Sequence, residues 1–357
     1  MAKYDIKRKD LKDKLDLLEQ YAPEEIDDIN LLKSTIENLK NNFKNFEKER
    51  ELSIIDGLKE DLEDFDYFTP YYQQVRKFYK KSSFEVFGKP SIKFQKLNIS
   101  DDEAVSLAHD FFKEQGNFFY NPFVSYTLNM EDHLKFIAPS KYSDGMMVYV
   151  KSLDESFVFV PGYRNLTKFT ILVHEIEHSL DTMNNQDFIY NFFVREVSAM
   201  FMELISCDWF CKNKVTSKDN FKRRFQLHVN VKEACDTIYL KNRVLALIKK
   251  YPHSTDEDLI KILKEKYKYE EETLEYLAIY SLSSDYIYQI PYLIAIELYS
   301  IYQTDKEKAL YILKNIILYG NNNNIFSILE HFKISLTTNL YDYEENLYDS
   351  LTKKFVK

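Results

Sequence analysis

Val173-His174-Glu175-Ile176-Glu177-His178-Ser179 carries the spacing H-E-x-x-H. On a helix, His174 and His178 lie one turn apart on the same face and can point their ring nitrogens at one metal ion, for which zinc is the expected occupant. Glu175 then stands beside the metal, where its carboxylate can take a proton from a water whose pKa the metal has lowered. The flanking residues favour a helix. Phe169-Thr170-Ile171-Leu172-Val173 is a continuous apolar run, and Leu180 and Met183 extend it downstream. The plainer alternative is a pair of histidines packed and hydrogen bonded in a helical core.

A catalytic zinc usually keeps three protein ligands and one open position, so a third ligand has to be found. Phe192 to Glu203 reads as an apolar helix interrupted by two acids, Glu196 and Glu203, which are two turns apart and share a face. Carboxylates on such a face need partners. Zinc would supply one for Glu196, and a hydrogen bond to a ligand histidine would supply one for Glu203. The alternative is a salt bridge to Arg195 or to a lysine.

His174-Glu175-x-x-His178, followed by Val194-Arg195-Glu196-Val197-Ser198 and then Met202-Glu203, resembles the active-site core of the oligoendopeptidase F and thimet oligopeptidase family of zinc peptidases. Ahead of it, Ser156 to Leu166 is similar to the family's edge strand and the turn into the zinc helix. Beyond it, Tyr286-Ile287-Tyr288-Gln289 is similar to its tyrosine-bearing segment. The similarity spans roughly residues 95 to 350. It implies a mainly α, zincin-like (neurolysin-like) catalytic domain that binds one Zn2+ through His174, His178 and Glu196, with Glu175 as general base and Glu203 behind the ligands. Tyr288 and Tyr286 would then hydrogen bond the tetrahedral oxyanion, stabilising the transition state more than the substrate. In a chain with 28 tyrosines, a packing role for either is the competing reading.

The chain also departs from the family. No histidine precedes the tyrosine pair, and Tyr280 is the candidate substitute donor. Glu177 stands where the family has glycine, and the gap from His178 to Glu196 is short, so the loop beginning Asn184-Asn185-Gln186-Asp187 must be tight. These departures motivate a second reading, a catalytically impaired, zinc-containing peptide-binding protein. A structural zinc in a scaffold is a third. The resemblance implies oligopeptide substrates, and the short N-terminal side implies a more open cleft and a dedicated peptide.

Composition is consistent with a helical protein. A chain of 357 residues with Gly 6 and Pro 8 has few breakers and expects helices with short connections. A net charge of −9 argues against nucleic-acid partners, which require a basic surface. No apolar run is long enough to span a membrane, so no membrane insertion is expected. Met1 to Lys9 leads into a charged helix rather than a signal peptide, and Cys207, Cys211 and Cys235 are too few and odd in number for a disulfide framework. A cytoplasmic location is the expectation.

Residues 1–90 read as amphipathic helices: Leu11, Leu15 and Leu18 mark the first, Leu32 to Phe46 the second, and a third begins at Leu52 with a break expected near Thr69-Pro70. They would pack on the catalytic domain, residues 91–357, or serve as a docking or homo-oligomer hairpin. Ser100-Asp101-Asp102-Glu103 is a capping box that opens a helix ending near Gly116. Met146 to Val150 and Phe157-Val158-Phe159-Val160 read as a small antiparallel ribbon beside the zinc helix. Its edge, at Phe157 to Val160, would hydrogen bond an extended peptide, or the hairpin is purely structural. From Val231 onward the chain reads as helices, among them Lys241–Tyr251, Tyr292–Gln303 and Lys306–Tyr319. His109, His133, His228, His253 and His331 are left to surface or packing roles, unless one reaches the cleft.

Overall fold

The computed structural model describes residues 54–69, 72, 98–128, 130–139, 145–150, 154–185, 192–213, 237–279, 282–319, 327 and 330–333. The first two helices expected near the N-terminus and the boundary expected near residue 90 lie outside these. The described residues are mainly helical, with one small sheet, and divide into two compact units. One holds the H-E-x-x-H motif and takes in described residues from 98 to 213 and from 290 onward; the other takes in 54–72 and 237–289.

In the motif-bearing unit, α1 spans Asp101–Glu114 and starts where the sequence places it, with Ser100 Oγ accepting from the Glu103 backbone N–H at 3.1 Å. Gly116, at φ 95°, adopts the left-handed backbone that turns the chain into α2, Asn117–Thr127. Three strands follow: β1 at Leu134–Ile137, β2 at Met146–Val150 and β3 at Glu155–Pro161. The expected antiparallel pair is present, with Met147 opposite Val158 and Val148 opposite Phe157. The sequence reading missed β1, which pairs parallel to β3 on its other side, Leu134 opposite Val158. The order is therefore β1-β3-β2, and β3 is the middle strand.

The motif lies on α3, Leu166–Asn184, capped by Asn165, whose Oδ1 accepts from the Thr167 N–H at 2.9 Å. Almost every side chain from Leu166 to Thr182 is buried, the mark of a helix enclosed on all sides. β2, β3, α1 and α2 pack on it, as does α4, Phe192–Asn213. Even its lysine is drawn in: buried Lys168 donates to the Ile99 carbonyl at 2.9 Å and to Asp101 at 2.5 Å, fastening α3 to the start of α1. Phe111, Phe169, Trp209 and Phe210 interlock through ring contacts between α1, α3 and α4. The chain continues in α5, Leu282–Thr304, and α6, Lys306–Tyr319, the latter packed against α3 and α4. The division between the units falls within α5, after Gln289.

In the second unit, Ile54–Lys59 packs on Glu271–Ile279, and a turn at 60 and 61 separates it from helical residues 62–69; Pro70 is outside the described residues. Asp61 is its fixed point. One carboxylate oxygen accepts from the Leu282 N–H at 3.0 Å and the other meets Lys241 at 2.6 Å, with both side chains buried.

Candidate metal centre

Helix α3 presents His174 and His178 one turn apart, and α4, packed alongside, presents Glu196. One ligand-type atom from each of the three lies within 4.8 Å of the others. His174 Nε2 is 3.6 Å from one Glu196 carboxylate oxygen, and His178 Nε2 is 3.5 Å from the other. A tetrahedral zinc with arms of about 2 Å holds its ligand atoms about 3.3 Å apart; the two nitrogen–oxygen separations, each to a different Glu196 oxygen, are close to that, and two imidazoles with a carboxylate are a donor set that suits zinc. The imidazole rings stand nearly perpendicular, at 87° with centroids 4.9 Å apart.

The groups behind the ligands are also in place. His174 Nδ1 is 3.3 Å from a Glu203 carboxylate oxygen, the carboxylate–histidine arrangement that orients a ligand ring. Arg195 reaches Glu196 as well, at 3.4 Å, so the salt bridge read as an alternative in the sequence coexists with the histidine contacts. One pair not singled out in the sequence joins the two ligand-bearing helices: the Ser198 hydroxyl donates to the Asp181 carboxylate. The signal was there in spacing, since Asp181 follows His178 by three and Ser198 follows Glu196 by two. Glu177 is fully buried, and neither of its carboxylate oxygens has a hydrogen-bond partner among the described residues.

Burial works to raise the Glu196 carboxyl, but His178, His174 and Arg195 outweigh it and hold it at about 2. Burial pushes the His178 imidazole well below its ordinary value, against the opposing pull of Glu196. For His174, burial is overcome by the Glu196 and Glu203 carboxylates, which push it well above its usual range. Glu175 is buried too, and burial, opposed by the His174 charge, brings its carboxyl to about 7. Burial likewise drives the Glu177 and Asp181 carboxyls well above the ordinary range, favouring their protonated forms. The exposed side of the site is that of His174, whose side chain is 17 % exposed against 5 % for His178.

The other expected site residues fall differently. Phe157 to Val160 are all buried, and because β3 is flanked on both sides its backbone has no free edge to offer a peptide; among the described residues the outer edges of β1 and β2 are paired with no further strand. β2 is half-buried and is preceded by Gly145, whose backbone lies against Glu175. Tyr286 belongs to the second unit, and its buried ring stacks on Phe68 at 4.3 Å between centroids. Tyr280 and the side chain of Tyr288 lie outside the described residues. His109 hydrogen bonds Tyr120 at 2.8 Å and His133 faces Glu155 at 3.2 Å, both packing roles.

No protein-family profile matches this sequence, and no curated protein does. Solved structures do match in fold. One described as an oligoendopeptidase F from Bacillus anthracis str. Ames superposes with a TM-score of 0.53 at 12% identity, over 91% of this chain and 62% of that one. PZ peptidase A with an inhibitor gives 0.54 at 12% identity, over 78% and 58%, and a protein described as a peptidase from Chlamydophila abortus gives 0.51 at 13%, over 84% and 55%. The chain thus spans less than two thirds of the length of these structures, and across that length it has the fold of oligoendopeptidase-type peptidases.

Proposed function

We propose that this chain is a zinc-dependent metalloendopeptidase that hydrolyses peptide bonds in short or unstructured peptides. The observation that carries the reading is the convergence of His174, His178 and Glu196 from two packed helices, with Glu175 beside them. The fold shared with oligoendopeptidases supports it. A zinc ion held by the three residues, one per chain, would polarise the scissile carbonyl and lower the pKa of a coordinated water. Glu175 takes the proton of the attacking water on a carboxylate oxygen and hands it to the departing amine nitrogen. Glu203 steadies the His174 ring through Nδ1. An extended substrate pairs its backbone with the outer edge of β2, which no other strand among the described residues takes up and which starts beside Glu175, so that main chain rather than side chains is read.

Glu175→Gln tests the reading. It should keep zinc and lose cleavage of a quenched peptide by about 100-fold or more. Unchanged cleavage would remove Glu175 from the chemistry. Wild type that holds zinc and binds peptides but cleaves none would instead be the peptide-binding protein.

A further inference from the structure

Gly145 immediately precedes β2. Its backbone is not in the left-handed region, so conformation does not call for glycine there. Space does. A Cβ at this position would lie 2.5 Å from Ile171 Cγ2, 2.6 Å from Glu175 Cγ and 2.6 Å from Glu175 Oε1. Ile171 and Glu175 are one turn apart on the same face of α3, and both are buried, so neither can swing away into solvent. β2 and β3 are fixed to each other by their ladder and both pack on α3, so the strand cannot back off without breaking that contact.

We infer that Gly145 is a positioning residue: its bare backbone forms the wall against which the Glu175 carboxylate is seated. This rests on the peptidase reading for its catalytic meaning, though not for its geometry. A methyl group at 145 takes the place of Glu175 Oε1 and turns the carboxylate out of its seat. A displacement of about 1 Å in a reacting group can cost about 100-fold in rate. The atoms nearest to a Cβ at 145 belong to Ile171 and Glu175 and not to the proposed metal ligands, so zinc binding should survive.

The test has two arms. In the first, Gly145→Ala should retain one zinc per chain and lower kcat about 100-fold with KM little changed. A peptidase that cleaves as fast with alanine at 145 overturns the inference. The second arm needs no activity and removes the Ile171 clash first. In the Ile171→Ala background of the metal-free protein, adding Gly145→Ala should lower Tm while Glu175 is present and leave Tm unchanged once Glu175→Ala is also made. An equal loss with and without Glu175 overturns the inference. If wild type cleaves no peptide, the peptidase reading fails, and the second arm still decides whether the space at 145 is reserved for Glu175.

Discussion

Glu203 and Glu175 show how single side chains set the character of the site. Glu203 meets Nδ1 of His174 at 3.3 Å, on the far side of the ring from the nitrogen that faces Glu196. Glu203→Gln should therefore leave zinc stoichiometry intact and weaken zinc affinity about 10- to 100-fold, measured by competition with a chromophoric chelator. Glu175 is a stability cost in the metal-free protein. Its carboxyl is raised by burial from 4.5 to about 7, so the folded state keeps a proton that the unfolded state has already lost. The stabilising effect of that proton is fully present below 4.5 and disappears as pH rises through about 7. Glu175→Gln removes the dependence. The Tm of the metal-free variant should exceed that of metal-free wild type by a margin that grows between pH 5 and pH 8, and a margin that shrinks over this range would contradict the burial argument.

At the scale of elements, the proposed centre depends on the register of α3 against α4, since two of its proposed ligands come from one helix and the third from the other. The Ser198 to Asp181 hydrogen bond ties that register. Ser198→Ala would leave a buried carboxyl oxygen of Asp181 unpaired and should cost about 1–3 kcal/mol in thermal or denaturant unfolding, with weaker zinc binding alongside. Elements with local signals were legible in the sequence. Ser100 with Glu103 announced α1, the apolar run before His174 announced α3, and two β-rich runs announced β2 and β3. β1 was not, because Leu134-Lys135-Phe136-Ile137 is four residues with no alternation, and its strand identity comes from pairing with β3 more than twenty residues away. Missing β1 is what placed the open edge on Phe157 to Val160. Gly145 was invisible for a similar reason, since the neighbours that require it, Ile171 and Glu175, are distant in sequence.

At the scale of the molecule, each unit carries a buried charge arrangement of its own. In the second unit, Lys241 and Asp61 are enclosed together at 2.6 Å, joining three segments far apart in the chain: 54–72, 237–250 and the start of α5. Lys241→Met would strand the Asp61 carboxylate and should cost about 3–5 kcal/mol of stability, seen as a lowered midpoint in denaturant. Sequence alone did not reveal this pair, because a lysine in a charge-rich helix reads as solvated. The convergence of His174, His178 and Glu196 was legible, because H-E-x-x-H sets two histidines on one helix face and Glu196 stands out as an acid on an apolar helix; that the three hold zinc is the proposal built on it.

The most direct test is elemental analysis of purified wild type beside Glu196→Ala, with hydrolysis of a quenched peptide library by the same samples. The account predicts one zinc per chain in wild type, with both zinc and cleavage lost in the variant. Wild type without zinc, or a Glu196→Ala protein that keeps zinc and cleaves at the wild-type rate, would contradict it.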